Sequence, residues 1–145
     1  MNRNAFGLPD TSSEEKNVTA TLPIIELDPL KGRPTVEVIF GQAHLGTYRV
    51  FLWDAQGKNP EPIGHGNNID DVLDDFSAPR DPGALDKTIL SYEAIVQAAE
   101  PREGQLYSLT ITVRQQGKVC TGGVIQETGT FNDVKSIIGF RRFES

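Results

Sequence analysis

The chain has 145 residues, enough for one domain with its own core and too few for two. A hydrophobic fraction of 37% supports such a core without covalent staples, and the single Cys120 excludes an intrachain disulfide and suits a reducing compartment. The net charge of -6 gathers in residues 54–86, where Asp54, Glu61, Asp70, Asp71, Asp74, Asp75, Asp81 and Asp86 face only Lys58 and Arg80, so the basic footprint of a nucleic-acid binder is missing.

Residues 1–16 are polar and aperiodic and read as a flexible N-terminal arm, leaving 17–145 as a single domain. Val18 to Leu22 alternates and opens that domain, and Ile24 to Leu27 continues it before a turn around Asp28-Pro29 and Lys31-Gly32. Thr35 to Phe40 is a strand with Val36, Val38 and Phe40 on one face, followed by a loop from Gly41 to Gly46. Thr47 to Asp54 is the next strand. Tyr48, Val50 and Leu52 point one way and Phe51 and Trp53 the other, which suits an interior strand or one covered by a loop. A turn at 56–60 leads to a short strand from Glu61 to Gly64.

The rhythm changes at residues 68–76. Ile69, Val72, Leu73 and Phe76 recur at i, i+3, i+4, i+7, one face of a helix, with four aspartates opposite and Asn68 as a cap. The like-charge pairs Asp70/Asp74 and Asp71/Asp75 each cost about 0.2–0.5 kcal/mol in an isolated helix, so such a helix holds only if its apolar stripe is docked. An irregular acidic loop is the alternative.

Residues 77–83 form a loop. Residues 88–99 fit either a strand, with Leu90, Tyr92, Ala94 and Val96 on one face, or a helix; the strand is preferred because 105–115 alternates cleanly and the two then make a hairpin. Tyr107, Leu109, Ile111 and Val113 are its inward residues. A tight turn at 115–118 returns the chain along 119–126, with a bulge or bend at Gly122-Gly123. Thr128 to Thr130 and Asn132-Asp133 break the next link, and 136–143 closes the domain. About eight strands with short turns predict an all-β antiparallel β-sandwich, similar in architecture to jelly-roll or immunoglobulin-like sandwiches, with one short helix or acidic loop near 68–76.

No apolar stretch resembles a secretory signal or reaches the roughly 18 residues of a membrane helix, so the expectation is a soluble, cytoplasmic protein with no membrane partner. For chemistry, Asn67, Asn68, Asp70, Asp71 and Asp74 supply oxygens suited to calcium if they lie in a loop, although EF-hand spacing is absent. His65 lies just upstream and His44 sits in the 41–46 loop; either fits a general acid/base or a metal ligand, but no His-x-His or HExxH spacing supports it. Phe51 and Trp53 on the second face of their strand fit an aromatic platform for a carbohydrate or peptide. Cys120 has no flanking basic cluster in sequence and reads as a packed side chain. Ile24-Ile25 and 137–143 are expected at sheet edges, open to a partner strand.

The absence of a nucleophile elbow, phosphate loop or metal motif favours a non-catalytic binding or assembly module that engages a protein partner or self-associates as a homo-oligomer. The alternatives are a calcium- or carbohydrate-binding domain using the 64–75 cluster, and a small hydrolase built on His65 and an aspartate.

Overall fold

A computed structural model of the protein describes residues 22–69 and 74–145. The arm at 1–16, most of the strand expected at 18–22, and Asp70 to Leu73 lie outside the described residues. Among the described residues, nine strands and one short helix follow in order: β1 (Ile24–Glu26), β2 (Thr35–Gly41), β3 (Leu45–Trp53), β4 (Glu61–Asn67), β5 (Asp75–Ser77), α1 (Pro82–Leu85), β6 (Ile89–Gln97), β7 (Gln105–Gln115), β8 (Lys118–Phe131) and β9 (Val134–Glu144).

The strands form two sheets. One has the order β1-β9-β6-β3-β4 and the other β5-β2-β7-β8. Pairing is antiparallel except for β1, which runs parallel to β9 with Ile25 opposite Phe143. Alternation explains the assembly. Tyr48, Val50 and Leu52 of β3, Leu90, Tyr92, Ala94 and Val96 of β6, and Ile137 and Phe143 of β9 meet Val36, Val38, Leu109, Ile111, Val113 and Ile125 of the opposite sheet in one buried cluster. The expected all-β sandwich is therefore the fold, and 88–99 is a strand.

Four expectations need correction. The hairpin expected between 88–99 and 105–115 does not form: β6 pairs with β3 and β9, whereas β7 pairs with β2 and β8 in the other sheet. The 98–104 link crosses between layers. Residues 137–143 are not an edge, because β9 is flanked by β1 and β6. Thr128 to Thr130 does not interrupt the chain, since β8 runs unbroken to Phe131 and the turn waits for Asn132-Asp133. The helix expected over 68–76 is not what the described part of that stretch adopts. Asn68 and Ile69 form a bend, and Asp75–Ser77 is a strand on β2, with Phe76 opposite Val36. The one described helix is instead α1, started by Pro82 in its first turn.

The sandwich is closed at both sides. Phe76 of β5 covers Gly64 of β4, and beyond it Asp74 lies against Gly66 and Tyr48. On the other side β1 crosses the start of β8 at Gly122, whose φ is +76° and whose missing Cβ leaves room for the Ile24 carbonyl. The bulge there lies between Thr112 and Arg114 in register, as the glycine pair led one to expect.

Candidate functional site

Arg49 of β3 and Glu93 of β6 are directly opposite in register on the outer face of the five-stranded sheet, and their side chains form an ion pair. Glu93 is also cross-strand to Ile138 of β9, and Arg49 to His65 of β4, so one row across the sheet reads His65, Arg49, Glu93, Ile138. The next row reads Asn67, Thr47, Ile95, Ser136. The twisted sheet makes these two rows the floor of an open concavity of about 610 Å³.

Ile95 and Ile138 line it, and the exposed aliphatic residues of this face, inside the concavity and beyond it, gather about Ile95. Leu45 on β3 and Val134 and Ile138 on β9 are its diagonal neighbours, close enough for long side chains to touch across strands. Leu45 is 47% exposed, Ile95 50%, Val134 54% and Ile138 53%. The four-stranded sheet presents a different surface. There the exposed Ile39, Leu106, Val119 and Val124 lie around the β7 threonines Thr110 and Thr112, beside the ion pair of Arg114 with Glu37. Both outer faces of the sandwich thus mix exposed aliphatic side chains with hydroxyls and one ion pair, and the face of the five-stranded sheet is set apart by its concavity.

The residues singled out from sequence fall in several places. His65 and Asn67 line the concavity. His65 is exposed. It and Ser136 stand three strand spacings apart, about 14 Å, and His65 and Glu93 two spacings, about 10 Å, so the face does not assemble a hydrolytic triad. Phe51 is half-buried beneath the Arg49 guanidinium, 5.5 Å above its ring. Trp53 is not a platform: it is 1% exposed, and its indole N–H donates to the Ser91 hydroxyl at 2.8 Å inside the protein. A tryptophan with its N–H satisfied in the interior has no face left for a sugar.

Asn68 holds the entry to β3. Its Oδ1 accepts from the Gly46 amide at 2.8 Å and its Nδ2 donates to the His44 carbonyl at 2.6 Å. That oxygen is committed to the backbone. Asn67 Oδ1 accepts from the Ile69 amide at 2.9 Å. Asp74 turns inward to the Tyr48 hydroxyl, and burial, the Asp74 charge and this hydrogen bond, with Asp75 adding its charge, push Tyr48 up to about 12. Asp70 and Asp71 lie outside the described residues. Among the described residues no group of three or more His, Cys, Asp or Glu side chains is placed to hold a metal ion.

His44 Nε2 lies 2.9 Å from the Leu106 carbonyl, and its ring meets Phe131 edge-on at 4.9 Å. Its Nδ1 is buried without a hydrogen-bond partner. Cys120 is buried, and burial pushes its thiol up, away from the thiolate a nucleophile needs. Asp54 is pushed up by burial, but hydrogen bonds from the Lys58 amide, Asn59 and the Gln56 amide outweigh this and hold its carboxyl below the usual range.

Three groups escaped the sequence reading. Arg49, Glu93, Ile95 and Ile138 were not grouped, although Ile95-Val96 and Ile137-Ile138 each place aliphatic residues on both faces of a strand, the available signal for a second apolar surface. Tyr92, whose hydroxyl donates to Glu127 at 2.5 Å across the two sheets, was read only as core; burial, then the bond to Glu127, raises it, while Arg141 opposes. Gln115 was read only as part of a turn, yet it is 4% exposed. It accepts from the Asp28 amide at 2.8 Å and donates to the Asp28 and Gly32 carbonyls, each at 3.0 Å, beside a second concavity of about 250 Å³.

Among the described residues no helix is long and apolar enough to cross a membrane. Compared with known proteins, the chain matches no family model, no curated protein and no solved structure.

Proposed function

We propose that this protein is a non-catalytic binding or assembly module whose working surface is the concave outer face of the five-stranded sheet, where it seats a protein partner. One observation carries the reading: Leu45, Val134 and Ile138 lie diagonal to Ile95 on interior strands as a half-exposed aliphatic group, beside a single ion pair. Water gains when such a patch is covered. Burying the remaining half of each side chain contributes roughly 1 kcal/mol apiece before the cost of association. The Arg49–Glu93 pair supplies orientation, because a polar group within an apolar patch penalises wrong registers.

The test is site-specific photo-crosslinking in cells that make the protein. A benzophenone side chain replacing Ile138 is expected to crosslink to protein, and one replacing Thr110 on the other sheet is not. Absence of crosslinks from position 138, or equal crosslinking from position 110, refutes the reading. A parallel screen of hydrolase substrates, with His65→Ala as control, addresses the catalytic alternative.

A further inference from the structure

We infer that the partner seated on this face is a second copy of the same chain, packed sheet against sheet about a two-fold axis; the inference rests on the binding face proposed above. Two properties of the face point to self-association.

The first is charge arrangement. Arg49 and Glu93 are side by side on adjacent strands, β3 and β6, near the middle of the sheet. A two-fold axis lying in the interface, parallel to the strands and midway between β3 and β6, places Arg49 of each copy against Glu93 of the other. Two intrachain pairs thereby become one four-charge network with alternating signs. The same axis puts the two copies of Ile95 on neighbouring strand positions, each facing Thr47 of the other copy and one residue pair from Leu45. An isologous interface needs this self-complementarity, and a face carrying one cation and one anion across its midline has it. The acids of residues 54–86 that give the chain its net charge of -6 do not include Glu93, so their repulsion is not centred on the contact.

The second property is size. β3 and β6 are each nine residues long, and four long strands, β9, β6, β3 and β4, lie side by side. At about 4.8 Å between strands and about 3.3 Å per residue they present roughly 19 Å by 30 Å, or about 570 Å² in projection; side-chain relief brings the accessible area toward the roughly 800 Å² per partner of a specific complex. Sheets stack at about 10 Å with axes near -30°, a geometry that two identical twisted faces satisfy.

The experiment is sedimentation of the purified full chain from micromolar to about 0.5 mM, with circular dichroism melts to confirm folding of each variant. The wild type is expected to show a monomer–dimer equilibrium. Arg49→Glu alone and Glu93→Arg alone each set like charges against each other in the homodimer, and each is expected to weaken dimerisation about tenfold or more. Mixing the two variants gives a heterodimer in which both contacts are again of opposite sign, and the mixture is expected to recover dimer beyond either variant alone. A purely intrachain role for the pair does not produce that recovery. Ile95→Asp, beside the axis, is expected to abolish the dimer without this rescue. A wild type that stays monomeric throughout, or a mixture no more dimeric than its components, overturns the inference. Crosslinks from position 138 to a different protein, with the chain monomeric, overturn the second copy while leaving the binding face standing.

Discussion

Replacing Gln115 with leucine removes the clamp that fastens the 27–33 loop to the β7–β8 hairpin. The side chain is 4% exposed and makes three hydrogen bonds to backbone groups of Asp28 and Gly32, more than eighty residues away in sequence. Leucine has nearly the same volume, so the cavity contribution is small and the loss is polar. Each bond contributes a net 0.5–1.5 kcal/mol, but water reaches part of the exposed loop and softens the penalty for the stranded groups; the sum is about 2–3 kcal/mol. For a chain of this size, roughly 3–4 °C per kcal/mol, the melting temperature is expected to fall by about 6–12 °C. The assay is urea denaturation with native-state hydrogen exchange of the Asp28 amide, which loses its acceptor in the variant. Gln115→Glu separates the donor from the acceptor role: the carboxylate still accepts from the Asp28 amide but now faces two carbonyls, so it is expected to cost more than leucine. A loss below about 0.5 kcal/mol, or an Asp28 amide equally protected in both proteins, refutes the clamp.

Gly122→Ala is expected to cost about 2–4 kcal/mol in chemical denaturation, because φ is +76° and the new methyl meets the Ile24 carbonyl of β1; a neutral result refutes the close approach. Tyr48 is raised to about 12 by burial and Asp74, so its share of stability is fully present below pH 10 and is lost as pH rises through about 12. Absorbance at 295 nm is expected to show Tyr48 silent at pH 10.5 in the folded protein, and Tyr48→Phe removes that late step; ionisation at the ordinary pH contradicts the buried contact. Asn68→Ala is expected to destabilise by about 1–2 kcal/mol through loss of its bonds to Gly46 and His44, with millimolar calcium or EDTA leaving the melting temperature of the wild type unchanged. A calcium-dependent rise restores the metal reading of this loop.

The strands were legible because burial on one face imposes a period of two, and Val36, Val38, Tyr48, Val50, Leu109 and Ile111 obey it. Sheet membership was not, because alternation records which side chains face inward and both layers of a sandwich share the same interior. That is why β6 and β7 looked like a hairpin while belonging to opposite sheets. At Asp75 and Phe76 the helical reading, one of the two offered for 68–76, was misled for a different reason. Phe76 fits the helical stripe, yet it gains more by lying opposite Val36 and covering Gly64, a tertiary contact that local spacing cannot encode. Gln115 did carry a signal: it continues the inward phase of Tyr107, Leu109, Ile111 and Val113, and a polar residue in that phase is buried with partners to find.

The functional surface follows from where the sandwich leaves association open. Among the described residues, edge pairing is poorly served by three of the four sheet margins: β1 and β5 are three residues each, and β4 carries Pro62, which has no N–H to offer. The fourth, β8, is bent at Gly122-Gly123, where β1 passes over it. With edges blunted in this way, main-chain augmentation is a weak route to assembly, and the outer faces remain. The outer face of the five-stranded sheet holds four half-exposed aliphatic side chains on rigid strands beside Arg49 and Glu93 and forms the larger concavity, so a partner seated there covers apolar surface with little rearrangement. Association face to face, rather than strand to strand, is the route this architecture favours.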